Sequence, residues 1–173
     1  MKKLTAIVWG GLAAGVLDIM YAFIVYGPLS YQLSPMQVLQ SVAAGWIGRG
    51  AAAAGGWDTA MLGLCTHFML ATMFAAVFVI AAARLPTLSR HAMIWGLLYG
   101  FGLYLMMTYV VVPLSAANQL QHFAADANDA LARLTESFST VRPKDPWQLL
   151  GTIFTHTVLV GVPIALINRR ITR

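Results

Sequence analysis

Predominantly apolar runs at about 4–26, 59–83, 92–114 and 147–167 dominate the chain. At 1.5 Å of rise per residue each is long enough to cross a hydrocarbon core of about 30 Å. Each is predicted to be helical, because an open strand in lipid would leave backbone N–H and C=O groups unpaired. The first run follows Lys2 and Lys3, a basic start that resembles a secretory signal. Signal peptides carry only about 7–15 apolar residues before a cleavage site, whereas this run continues through Asp18, Tyr21 and Tyr26, so a retained anchor is expected. The predicted fold class is all-α: a single domain over 1–173, built as an integral membrane four-helix bundle.

The connections carry helix signals of their own. Ser34-Pro35-Met36-Gln37 reads as an N-cap, a first-turn proline and a capping-box glutamine, and the stretch runs on to Gly55-Gly56. An interfacial or re-entrant helix is expected over about 35–54. Leu120, Phe123, Ala127, Leu131, Leu134 and Phe138 recur at three- and four-residue intervals, with Gln121, Asp126, Asp129, Arg133 and Glu136 elsewhere on the turn. That spacing predicts an amphipathic outer helix over about 116–139. Asp145-Pro146-Trp147-Gln148 repeats the cap, proline and glutamine order and should start the fourth span.

Charge turns this arrangement into a topology. Lys2, Lys3, Arg84, Arg90, Arg169, Arg170 and Arg173 fall on one side of the spans, and Arg49, Arg133, Arg142 and Lys144 on the other, where Asp58, Asp126, Asp129, Glu136 and Asp145 offset them. The excess of Lys and Arg places both termini in the cytoplasm. Trp46, Trp57 and Trp147 fall near the opposite boundary, as anchoring indoles do. A net charge of +5 could suggest nucleic acid, but the basic residues sit at span ends and form no basic face, so the expected partner is the lipid bilayer and no nucleic acid. Composition agrees: 59% hydrophobic and 10% charged, against about 45–50% and about 25% in soluble domains. Cys65 is the only cysteine, which excludes an internal disulfide and a cysteine-only metal cage; within its apolar run it reads as an inert core thiol.

Ionisable residues inside a span are expensive and therefore functional candidates, and the chain has three: Asp18, His67 and His156. Counted from the outer ends they lie at one depth, about 12–14 Å in, with Tyr104 and Met107 in the same layer. Small residues share their faces: Gly11, Ala14 and Gly15 before Asp18, Gly63 and Ala71 around His67, and Gly96 and Gly100 before Tyr104. Such faces mark close helix approach, so the polar side chains should point into the bundle. Thr152, Thr155 and Thr157 offer hydroxyl partners to His156.

Three chemistries suit this layer. An aspartate–histidine pair is proton-responsive, since each favours the charged form of the other. Asp18, His67 and His156 are also a donor set for a metal such as zinc, iron or copper. Two histidines on separate helices are in addition the axial requirement of a haem b. Against all three stands plain interhelical hydrogen bonding, worth about 0.6–2 kcal/mol per polar residue with no ligand, and absence of a cofactor is the first expectation. Met61, Met69, Met73, Met106 and Met107 suggest soft-metal binding less than filling of an irregular core. Gly11 to Gly15 and Gly96 to Gly100 are small-xxx-small patterns that serve internal packing and a homodimer equally well. His91 and His122 read as surface residues.

His67-Phe68 in an apolar second span, the basic turn Arg84-Leu85-Pro86, a glycine-containing third span ending in Val112-Pro113-Leu114, and Gly151 and His156 ahead of Arg169-Arg170 together resemble the YagU-like group of small bacterial inner-membrane proteins. The likeness covers about two-thirds of the chain and departs over 116–146. It implies a bacterial inner-membrane location and four spans, and no reaction.

No Gly-rich phosphate loop, Gly-x-Ser-x-Gly elbow or His-Glu-x-x-His helix occurs. The expected function is therefore non-enzymatic: binding of, or response to, a small ligand or protons through Asp18, His67 and His156, with Tyr104 as hydrogen-bond partner. The alternatives are an accessory or assembly protein acting through its outer amphipathic helix, and a metal- or haem-binding protein.

Overall fold

The computed structural model describes residues 1–140 and 146–172. The cap Asp145 and the charges Arg142, Lys144 and Arg173 lie outside the described residues. Among the described residues every regular element is helical: α1 (Lys2–Ile24), α2 (Pro35–Ile47), α3 (Arg49–Ala54), α4 (Gly56–Arg84), α5 (Pro86–Arg90), α6 (Ala92–Met106), α7 (Val112–Leu114), α8 (Ala127–Thr140), α9 (Pro146–Phe154) and α10 (Val162–Thr172). Wider π-helical turns at Val25–Leu29, Met107–Val111 and Thr155–Gly161 continue α1, join α6 to α7, and join α9 to α10.

A proline accompanies each of these widened turns. Pro28 lies within the first beside non-helical Gly27 (φ −81°, ψ −110°). Pro113 and Pro163 each fall two residues after the end of the next two. Proline supplies no N–H to the carbonyl four residues back, and its ring crowds that carbonyl. Widening the turn relieves the clash while the helix continues.

Four continuous helical stretches, Lys2–Leu29, Gly56–Arg84, Ala92–Leu114 and Pro146–Thr172, are long and apolar enough to cross a membrane. Only 17% to 33% of their most apolar windows is buried, so most of the apolar side chains face outward. Soluble chains rarely expose contiguous apolar surface on that scale, and the pattern is that of a multi-pass membrane protein. The methionines and Cys65 depart from the core positions expected of them. Met61, Met69, Met73 and Met106 are exposed and fill no core, and Cys65 is likewise exposed. On α4, Met61, Cys65, Met69 and Met73 follow one another at four-residue steps and share an outward stripe.

The chain forms two compact units. The first comprises Met1–Tyr21, His67–Tyr104 and Asp145–Arg173, the second Ala22–Thr66 and Leu105–Lys144. In the first, glycines bring backbones into contact. A Cβ on Gly11 would stand 2.6 Å from Thr72 Cα, and one on Gly15 would stand 2.8 Å from the Phe68 ring. A Cβ on Gly96 would meet Gly161 O and Val162 Cα at 2.9 Å, and one on Gly100 would collide with the His156 carbonyl oxygen. The glycine faces read from the sequence thus pack α1 on α4, and α6 on the Thr155–Gly161 turn and α10, within the chain. Tyr99 adds a polar tie, donating its hydroxyl to Phe74 O at 2.7 Å.

In the second unit Ser34 and Gln37 form the predicted capping box: Gln37 N–H donates to Ser34 Oγ and Ser34 N–H to Gln37 Oε1. The expected helix over 35–54 is broken at Gly48, whose φ of +81° ends α2 and starts α3. Long-range bonds hold the break. Ala116 N–H donates to Gly45 O, Arg49 Nε to Ala117 O, and Gly50 N–H to Gln121 Oε1.

The expected helix over 116–139 begins only at Ala127. Residues before it are turns, with Asn118 donating to Pro113, Ser115 and His122 carbonyls. The helix buries polar Arg133 and Ser137 and exposes Leu131 and Phe138. Arg133 grips Asp129 through both oxygens, at 2.8 and 2.6 Å, and donates to His122 O, while Ser137 Oγ donates to Tyr109 O. Its neighbour Asp129 has a carboxyl held below the usual carboxylate range, by the Arg133 hydrogen bond first and the Ala125 N–H second. His91 and His122 are exposed, as expected.

Candidate functional site

Asp18, His67, Tyr104 and His156 all belong to the first unit. The elements of Asp18 and His67, α1 and α4, meet because Gly15 has no side chain. One turn before Asp18 on α1, it lets the Phe68 ring and the methyl of Ala71 close on the helix, which brings neighbouring His67 against the Gly15 carbonyl.

His67 Nε2 lies 2.8 Å from Gly15 O. A carbonyl can only accept, so this bond assigns the ring proton to Nε2. The other nitrogen, Nδ1, faces Asp18 Oδ2 at 3.8 Å, with His67 buried and the Asp18 side chain 29% exposed. The distance is beyond a formed hydrogen bond and within ion-pair range; a closure of about 0.8 Å would complete the bond.

The chemistry of that gap follows from the tautomer. With Nε2 protonated, neutral His67 presents a lone pair at Nδ1, and a protonated Asp18 can donate to it. Moved across, the same proton makes imidazolium and carboxylate, with the Gly15 bond kept in both states. The Phe68 ring stands edge-on to the imidazole, centroids 5.3 Å apart, and packs that side with an apolar group.

His156 is held differently. It sits in the widened turn Thr155–Gly161, and its Nδ1 donates to Thr152 O at 2.9 Å, one turn back on its own helix. The hydroxyls of Thr152, Thr155 and Thr157 donate to the carbonyls of Gln148, Gly151 and Ile153, so the expected hydroxyl partners serve the helix backbone. Nε2 of His156 remains as the acceptor nitrogen. Buried Tyr104 meets this ring edge-on, centroids 6.1 Å apart.

The expected layer is therefore two pairs, Asp18 with His67 and Tyr104 with His156. The metal set Asp18, His67 and His156 is not assembled: among the described residues no group of three or more His, Cys, Asp and Glu side chains is placed to hold a metal ion. Gly15 acts through its carbonyl as well as its missing side chain, and no residue pattern signals a backbone acceptor. A comparison with known proteins finds no matching family model, curated protein or solved structure.

Proposed function

We propose that this chain is a four-span bundle of the bacterial inner membrane, with both termini in the cytoplasm, whose Asp18–His67 pair binds a proton and couples it to a small ligand or ion. The single observation that carries the reading is the orientation of His67. With Nε2 fixed on Gly15 O, the ring turns its titratable nitrogen to the one carboxylate within 3.8 Å. An imidazole serving only as interhelical glue is satisfied by the Gly15 bond alone and gains nothing from a carboxylate across the gap. Location and orientation rest on the basic ends Lys2, Lys3, Arg84, Arg90, Arg169 and Arg170 and on the resemblance to the YagU-like group. This reading keeps α2 and α3 as the interfacial or re-entrant segment and α8 as the amphipathic outer helix.

Acid–base difference infrared spectroscopy of the protein in lipid tests the proposal. Wild type should give a carboxyl C=O band that titrates together with an imidazole band; Asp18→Asn should remove the first and shift the pH at which the second appears. A wild-type spectrum with no titrating carboxyl band would overturn the assignment. An accessory role is the second reading, favoured by outward Leu131 and Phe138 on α8. Deleting about 116–143 separates the two, since a proton site in the first unit survives that deletion and partner binding through α8 does not.

A further inference from the structure

The end of the first unit that carries the basic residues holds a half-open cavity of about 290 Å³. Its polar wall is Lys3 of α1, Ser89 of α5, and Asn168 and Thr172 of α10. Val79, Ala82 and Pro86 are among the apolar residues opposite. Asn168 is 1% exposed, an amide sunk among the helices, and its Nδ2 donates to Ser89 Oγ at 3.0 Å. That bond uses an acceptor site of the hydroxyl and leaves the Ser89 O–H as a donor with no acceptor among the described residues. The Thr172 hydroxyl is already committed to Asn168 O. The cavity is therefore lined by one lysine and by one hydroxyl still free to donate to an occupant.

Its surroundings have one sign. Among the described residues of this unit, Lys2, Lys3, Arg84, Arg90, Arg169 and Arg170 face a single carboxylate, Asp18, fifteen positions beyond Lys3 on α1. An anion is the natural occupant. The volume is below the roughly 300–1,000 Å³ of pockets that enclose whole drug-sized ligands and suits a headgroup whose tail lies elsewhere. The long apolar helices, whose outward faces need lipid beside them, supply the source.

We propose that this cavity binds the phosphate of an anionic phospholipid, with Lys3 pairing its charge and Ser89 donating to a phosphate oxygen. The site is independent of the Asp18–His67 pair and stands if that proposal fails. Its test is the thermal unfolding of detergent-purified protein titrated with phosphatidylglycerol, phosphatidylcholine or inorganic phosphate. Phosphatidylglycerol should raise the unfolding temperature at lower concentration than phosphatidylcholine, and Lys3→Gln should weaken that response about fivefold, the effect of one lysine near an anionic surface. Ser89→Ala should weaken it as well, while Arg170→Gln, a basic residue outside the cavity, should leave most of it. Equal responses to the two lipids, or equal losses in Lys3→Gln and Arg170→Gln, would overturn the site. Inorganic phosphate reproducing the shift would overturn the lipid as its occupant.

Discussion

Gly100 and Gly102 stand two residues apart on α6 and differ only in what surrounds them. A methyl group at Gly102 meets nothing within 4 Å, whereas one at Gly100 collides with the His156 carbonyl oxygen and stands 2.6 Å from Thr157 Cα. Ordinary contact begins at 3.4 Å, so the shortfall to Thr157 is 0.8 Å. The obstructing atoms are backbone, and no rotamer change relieves them. Replacing a mid-helix glycine by alanine gains about 0.5–1 kcal/mol from reduced backbone freedom in the unfolded chain. Overpacking a close contact costs about 1–3 kcal/mol. Gly102→Ala should therefore be neutral to stabilising and Gly100→Ala destabilising, and their difference isolates the overpacking at about 1–3 kcal/mol. Circular dichroism during titration of mixed micelles with dodecyl sulfate measures both variants against wild type. The denatured state there keeps some helix, which shrinks the entropic gain in each variant equally and leaves the difference intact. Equal stability of the two variants, or a more stable Gly100→Ala, would refute the packing of α6 on the widened turn that carries His156.

Gly48→Ala should cost about 1–3 kcal/mol, since its φ of +81° with ψ of 159° is a conformation almost confined to glycine and a Cβ would press on Gln121 O at 3.0 Å; the same titration measures it. Tyr99→Phe removes the donor to Phe74 O and should cost about 0.5–1.5 kcal/mol, and a loss below about 0.3 kcal/mol would mean that the bond contributes nothing net. The turn before α8 should loosen in acid. Asp129 has a lowered folded-state pKa, so its contribution is complete above the ordinary value of 3.8 and is lost as pH falls below that through the folded value. Protection of the Ala125 amide, bonded to Asp129 Oδ2, measured against its intrinsic exchange rate at each pH, should fall over that range in wild type and show no such acid step in Asp129→Asn.

The features legible in the sequence are those that neighbours along the chain decide. Runs of apolar residues give four helices long enough to span, because a helix satisfies its own backbone and needs only length and composition. Ser34 and Gln37 give the start of α2, because a capping box closes within four residues. The prolines at 28, 113 and 163 could have located the widened turns by the same local argument, since each removes a bond within its own helix. Other features needed the tertiary structure. Nothing near Gly48 distinguishes it from Gly45 or Gly50 in the sequence; the chain bends there because distant Ala116, Ala117 and Gln121 supply partners at the break. The apolar period through Leu120 and Phe123 fits a helix, yet α8 starts at Ala127 because Arg133 and Asn118 capture the carbonyls of His122, Phe123, Pro113 and Ser115. Equal depth put Asp18, His67 and His156 in one layer, but depth carries no azimuth. Only the close approach of α1 and α4 at Gly15 decided that His67 turns to Asp18, while His156 keeps to its own helix, because that approach joins residues 52 positions apart and its energy is written in neither segment alone.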